Sequence, residues 1–267
     1  MKPSPASASR ALAELERAVG GRLGVCAVDT GSGRELVHRA DERFAMCSTF
    51  KWVLAAAVLG RVESKTLSLQ QRLAYGEADV LEYAPVAREH AADGFMTVDA
   101  AMQAAVMVSD NTAANLLLRQ IGGPISLTQF VRANGDSITR LDRDEPLLNV
   151  NAPGDSRDTT SPRAMAGLMR HLLCGQTLSE EHRALLIGWM RACETGKHRL
   201  RAGFPADWNV GDKTGTGLRN AVNDLAIAVP PGRAPILVAA YMSEGTAEID
   251  ALQAAHAKVA TLVAHEL

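Results

Sequence analysis

The sequence has few cysteines, no long hydrophobic run and almost no net charge, and each shortage excludes a class of function. Four cysteines (Cys26, Cys47, Cys174 and Cys193) among 267 residues are too sparse for a disulfide-stapled scaffold, and the lack of any C-x-x-C pair excludes a zinc ribbon. They read as thiols buried as small hydrophobes, a single bridge being the alternative. The longest apolar run, Val53 to Leu59, is far too short to span a bilayer. With 28 Lys and Arg against 30 Asp and Glu, the formal charge is −2, and no basic stripe offers itself to a nucleic acid. The seven histidines form no H-E-x-x-H or H-x-H pattern, so neither a metal nor a cofactor is expected. G-x-S-x-G and G-x-x-x-x-G-K-[ST] are also missing, which argues against an α/β-hydrolase and a P-loop. Met1-Lys2-Pro3-Ser4-Pro5 is not followed by the apolar stretch of about 7–15 residues that a signal peptide needs, so none is expected in this chain.

What remains is a chain with 47% hydrophobic and 22% charged residues, enough to build a large core or two lobes. Ala8–Val19 has helical spacing through Leu12, Leu15 and Val19. Leu23–Asp29 and Arg34–His38 predict a hairpin around Thr30-Gly31-Ser32-Gly33. Near the other end, Asp224–Val229 and Ile236–Met242 predict strands, and Ala247–His265 a last amphipathic helix. Between them lie helical segments over Thr49–Val62, Val98–Ser109, Ala113–Ile121, Pro162–Leu173 and Glu180–Ala192, with Trp52 and Trp189 expected in the core. Asn134–Ser161 is a long polar stretch with little periodicity, the kind of loop that carries function. The pattern predicts an antiparallel sheet built from both chain termini and flanked by helices, with a helical lobe inserted. The expected division is residues 1–40 with 193–267 as an α/β unit and 41–192 as an all-helical one, the active site lying between them.

Four short motifs carry chemistry. Ser48-Thr49-Phe50-Lys51 puts a hydroxyl at a helix start and a lysine one turn later on the same face, and no other serine in the sequence has Lys at +3. A desolvated lysine can take the proton of such a serine; the bland reading is a helix cap with a solvated lysine. Ser109-Asp110-Asn111 supplies a second hydroxyl and an amide on a turn, where capping is the bland reading. Lys213-Thr214-Gly215-Thr216-Gly217 lets a backbone of small residues approach a ligand while Lys213 and Thr214 grip a carboxylate. In the long loop, Glu145 precedes Pro146, a place for a cis bond, and with Asn149 it is a candidate holder of one water. Arg143 is a candidate partner for Asp158 across the neck of that loop.

Together and in this order the motifs resemble the class A serine β-lactamases: S-x-x-K at Ser48, S-D-N at Ser109, E-x-x-x-N from Glu145 to Asn149 in an Ω-loop at about residues 140–160, and K-T-G at Lys213. Asp110–Leu118 and Arg157-Asp158-Thr159-Thr160 extend the similarity along nearly the whole chain. The resemblance implies hydrolysis of the amide bond of penicillin- and cephalosporin-type antibiotics through an acyl-serine, conferring resistance. Ser48 would be the nucleophile, Lys51 or Glu145 its base, Glu145 with Asn149 the activator of the deacylating water, and Ser109 with Lys213 the proton path to the leaving nitrogen. Asn111 would bind the substrate's amide, the backbone N–H groups of Ser48 and Thr216 the oxyanion, and Tyr83 would stand at the cleft mouth. Thr214, Gly215 and Thr216 would line the substrate's carboxylate end. The arginine that many members carry after K-T-G is replaced by Val222, and Arg199 stands where others carry it. The common disulfide of the helical lobe is absent, its positions being Ala55 and Met102. Cys47 precedes the nucleophile as in carbapenem-hydrolysing members, but their partner cysteine would fall at Gly217. The resemblance further implies a monomer that acts on a small molecule, without nucleic acid or membrane, in the periplasm or secreted after loss of a leader. The rival readings are a DD-peptidase or esterase, which would lack a water-activating pair such as Glu145–Asn149, and a non-hydrolytic β-lactam sensor of the same fold; both predict stoichiometric labelling in place of repeated hydrolysis.

Overall fold

A computed structural model describes residues 5–150 and 152–267. Helix α1 (Pro5–Val19) is followed by the antiparallel hairpin of β1 (Arg22–Asp29) and β2 (Glu35–His38), with Val25 opposite His38. The short strand β3 (Phe44–Ala45) leads through a single 3-10 turn, Cys47–Thr49, into α2 (Phe50–Glu63). Then come β4 (Arg72–Ala74), α3 (Pro85–Glu89), β5 (Phe95–Thr97), α4 (Val98–Met107), α5 (Asn111–Ile121) and α6 (Gly123–Ala133). After the polar loop and β6 (Thr159–Thr160), the chain forms α7 (Pro162–Cys174), α8 (Glu180–Arg191), β7 (Asn209–Gly217), β8 (Ala221–Val229), β9 (Ile236–Ser243) and α9 (Ile249–Glu266).

The main sheet runs β2-β1-β9-β8-β7 and is antiparallel throughout, so it joins strands from both ends of the chain. Its inner strands are buried on both faces, which is why they read as continuous apolar runs and not as alternations. The period of two survives in the partners. Leu237, Ala239 and Tyr241 of β9 pack into one core with α2, α4, α5, α7 and α8. Val238, Ala240 and Met242 pack into the other, with Leu12 of α1 and Leu252, Val259 and Val263 of α9. Helix α2 is buried without a break from Phe50 to Leu59, and every residue of that run is apolar except Lys51, which turns toward the site.

Strand β7 lies at the sheet edge, and its free side faces the 3-10 turn before α2. A Cβ on Gly215 would stand 2.7 Å from the Met46 carbonyl oxygen and 3.1 Å from the Thr49 nitrogen, so glycine is what lets the strand reach the turn. That contact positions the site.

Several expectations need correction. Ser48 and Thr49 belong to a 3-10 turn and not to the α-helix, and Ser48 does not cap it. The stretch read as all-helical also holds two short ribbons, β3–β6 and β4–β5, because Arg72–Ala74 and Phe95–Thr97 are too brief to give a periodic signal. Helix α6 was not foreseen. It opens on Gly-Pro, and only Leu127 and Val131 are buried along it. All four cysteines are free, but Cys174 is exposed, whereas Cys26, Cys47 and Cys193 are buried.

Candidate active site

The nucleophile candidate sits on backbone bent for the purpose. Cys47 holds a left-handed φ of 46°, rare for a residue with a side chain, and Ser48 follows it half-buried at the wall of the cleft. The Ser48 hydroxyl donates to Glu145 Oε1 at 3.2 Å. Lys51, one helical turn on and fully buried, places its ammonium 3.0 Å from the same oxygen. It also donates to the Ser109 carbonyl at 2.8 Å and to Asn111 Oδ1 at 2.5 Å. Burial pulls the Lys51 ammonium below its ordinary value, against the pull of Glu145.

Glu145 is delivered by the polar loop, across a cis bond to Pro146. Asn115 clamps it from α5: its amide donates to the Glu145 carbonyl at 2.8 Å, and its oxygen accepts the Glu145 N–H at 3.0 Å. The second carboxylate oxygen accepts from Asn149 Nδ2 at 2.6 Å. The loop itself is closed at its neck. Asp158, with no exposed surface, accepts from the backbone of Asp142 and Arg143 and from Arg143 Nε at 2.5 Å. Its carbonyl takes the Met46 N–H, which ties the loop to the nucleophile's own turn.

The S-D-N turn brings its three side chains to three places. Ser109, at φ 63°, accepts a hydrogen bond from Lys213 Nζ at 3.0 Å. Asp110 faces inward, capping α5 at Ala113 and accepting from the N–H groups of Val86 and Ala87, which makes it structural. Asn111 reaches the cleft, and its N–H donates to the Tyr83 carbonyl, so Tyr83 hangs half-exposed at the rim. Lys213 is fully buried, and burial draws its ammonium down to about 8.

At the far end Arg199 is nearly buried, held by the carbonyls of Gly215 and Asn223 and donating to Thr216 Oγ1 at 2.7 Å. Among the described residues no carboxylate forms an ion pair with it, although Asp224 and Asp212 lie near enough to favour its charge, and burial lowers its affinity for the proton. Val222 is core. The cleft, about 370 Å³, is lined by Ser48, Tyr83, Ser109, Asn111, Asn149, Arg199, Thr214, Gly215 and Thr216, all named from the sequence, and by Thr195, which was not. Lys51, Glu145 and Lys213 stand behind this lining as buried charges. Asn115 falls inside the similar stretch Asp110–Leu118 with no signal of its own, and Thr195 stands in the short polar break after α8 and carries no pattern of its own. The structure thus collects residues separated by more than 150 positions around one opening.

The model of the beta-lactamase enzyme family matches residues 7–267. The chain belongs to that family. The CTX-M-8 β-lactamase of Citrobacter amalonaticus is 44% identical over 94% of this chain and 87% of that protein. The carbapenem-hydrolyzing β-lactamase KPC of Klebsiella oxytoca is 47% identical over 86% of this chain and 78% of its own length. Among solved structures, the class A β-lactamase of the last common ancestor of Gram-negative bacteria superposes with a TM-score of 0.95 at 55% identity, covering 96% of this chain and 98% of that one. The family's sheet-and-helices architecture is therefore the one found here, and the chain is a hydrolase of class A type. No helix among the described residues is long and apolar enough to cross a membrane. Cys47 is a free thiol, pushed up to about 12 by burial, and a Cβ on Gly217 would stand 2.6 Å from its sulfur.

Proposed function

We propose that this β-lactamase opens penicillins and cephalosporins by acylation of Ser48 and releases the product through Glu145, which makes it an antibiotic-resistance enzyme. The observation that carries the reading is the run Ser48–Glu145–Asn149, a hydroxyl, a carboxylate and an amide in unbroken hydrogen-bond contact at the cleft wall. The Ser48 oxygen attacks the lactam carbonyl, and its proton passes to Glu145 directly, or to Lys51 after that lysine has given a proton of its own to Glu145, 3.0 Å away. The backbone N–H groups of Ser48 and Thr216, drawn together by the close approach of β7 to the 3-10 turn, receive the oxyanion. Ser109, fed by Lys213, hands a proton to the departing nitrogen. Asn111 and Tyr83 hold the amide side of the substrate, while Arg199, Thr214, Gly215 and Thr216 hold its carboxylate. Glu145 and Asn149 then orient the water that cleaves the ester.

This last pair favours turnover over the rival readings, because a transpeptidase or sensor has no use for a base aimed at its own acyl-serine. We further propose that the enzyme acts in the periplasm or outside the cell as a monomer. Steady-state hydrolysis of a penicillin, a cephalosporin and a carbapenem by the purified protein is the test. Repeated turnover of the first two is expected; stoichiometric labelling with no turnover of any would overturn the proposal.

A further inference from the structure

Three positions in one cross-strand row meet the turn that carries Ser48. Gly215 of β7 lies opposite Asn223 of β8, and Asn223 lies opposite Tyr241 of β9. Gly215 admits the Met46 carbonyl and the Thr49 nitrogen against its backbone. The Asn223 amide donates to the Ala45 carbonyl at 2.9 Å and to the Met46 carbonyl at 3.2 Å. Both partners can only accept, so they fix which way the amide faces. The Tyr241 hydroxyl stands 3.2 Å from Thr49 Oγ1. The row thus grips the chain on both sides of Ser48, at Ala45 and Met46 before it and at Thr49 after it.

Asn223 is the odd member of its face. Leu225 and Ile227, which follow it there along β8, belong to the apolar core, and Asn223 itself has no exposed surface. Its Oδ1 is buried and has no hydrogen-bond partner among the described residues, an expense to the fold that an apolar side chain would avoid. Nor does the Met46 carbonyl depend on it, since the Thr49 N–H at 3.2 Å and the Thr49 hydroxyl at 2.8 Å already donate there. What the amide adds is position. The backbone carbonyl of the same residue takes Arg199 Nη1 at 2.7 Å, so Asn223 touches both ends of the cleft.

Resting on the proposed function, we infer that Asn223 is a positioning residue for the oxyanion hole. Of the two N–H donors proposed there, one belongs to Ser48, in the turn, and the other to Thr216, next to Gly215 in the sheet. By tying the turn to the sheet, the Asn223 amide sets the distance between those donors. An oxyanion forms both when Ser48 is acylated and when the ester is hydrolysed, so the residue serves the two steps alike.

The experiment uses Asn223→Leu, which keeps the bulk and removes both donated hydrogens. Single-turnover acylation and deacylation with a penicillin should slow together, each about 10- to 100-fold. KM, which depends on the ratio of the two rates, should stay within about twofold. A second readout watches the hole itself. In a Glu145→Ala background, which should hold the acyl-enzyme, difference infrared spectroscopy follows the ester carbonyl of a penicillin carrying 13C at its lactam carbonyl. Hydrogen bonds in the hole weaken the C=O bond and lower its stretch, so Asn223→Leu should raise that frequency. Leu12→Ala, in the other core, should leave it in place. If Asn223→Leu does not fold, Tyr241→Phe drops one contact of the row, keeps the ring, and should raise the frequency by less. A band unmoved in the variant that folds, a band moved equally by Leu12→Ala, or slowing of one step alone would overturn the inference. An adduct whose band does not move strikes this inference only; a protein that never forms the adduct strikes the proposed function and this inference with it.

Discussion

At the scale of the residue, the site is an exercise in burying charge next to charge. Lys51, Glu145 and Lys213 have almost no exposed surface: Lys51 and Glu145 offset each other at 3.0 Å, while Lys213 donates to the Ser109 hydroxyl and the Thr214 carbonyl. Lys213 gives the clearest pH signature. Its folded pKa of about 8 lies below the ordinary 10.5, so between those values the native state holds fewer protons than the unfolded chain and stability rises with pH. Activity goes the other way, since the cation beside Ser109 is lost as pH climbs through about 8. The pH profile of kcat/KM should therefore fall on an alkaline limb while denaturant melts show no loss of stability there, and Lys213→Arg should move the limb upward. A limb that coincides with unfolding, or is unmoved in the Arg variant, would contradict this. These lysines were legible because S-x-x-K and K-T-G are short motifs with fixed spacing. Thr195 and the buried Asp212 were not, since their roles come from contacts across strands and turns that no local spacing encodes.

At the scale of the element, the polar loop is the part whose sequence says least and whose fold matters most. It has no periodicity, yet Asp158 gathers its neck and Asn115 grips Glu145 from outside. Arg143 and Asp158 were identifiable as opposite charges at the two ends of the loop; the clamp by Asn115 was hidden in an otherwise ordinary helix. Asp158→Asn removes the charge that Arg143 needs and should cost about 3 kcal/mol in urea unfolding, the price of one broken buried pair. Because the loop carries Glu145, release of the acyl group should slow more than its formation, read as a larger loss in single-turnover deacylation than in acylation. Equal losses in both steps would mean that the neck supports the fold without aligning the carboxylate. Helix α6 and the two short ribbons escaped the sequence for a different reason: their buried positions are too few to set a period.

At the scale of the whole molecule, one sheet stands between the two large cores of the described residues, and the nucleophile's turn leads into one of them. The core with α2, α4, α5, α7 and α8 backs the nucleophile and the S-D-N turn; the other, with α1 and α9, lies on the opposite face of the sheet. The sheet was legible from the apolar runs at both chain ends, but the order β2-β1-β9-β8-β7 depends on long-range pairing that pattern alone does not fix. The division of labour is testable. Leu12 of α1 has no exposed surface in the remote core, so Leu12→Ala should destabilise the protein by about 2–5 kcal/mol in denaturant melts while leaving kcat near its parent value at low temperature. A proportional loss of kcat in the still-folded variant would mean that the two cores are coupled more tightly than their packing suggests.

The central claim is that one carboxylate repeatedly frees the ester that one hydroxyl forms. Intact-mass spectrometry after mixing with a penicillin reads this directly. The parent should return to its unmodified mass once substrate is spent, Ser48→Ala should never gain the antibiotic's mass, and Glu145→Ala should keep it. Labelling of Ser48→Ala, or a Glu145→Ala adduct that clears as fast as the parent's, would contradict the account.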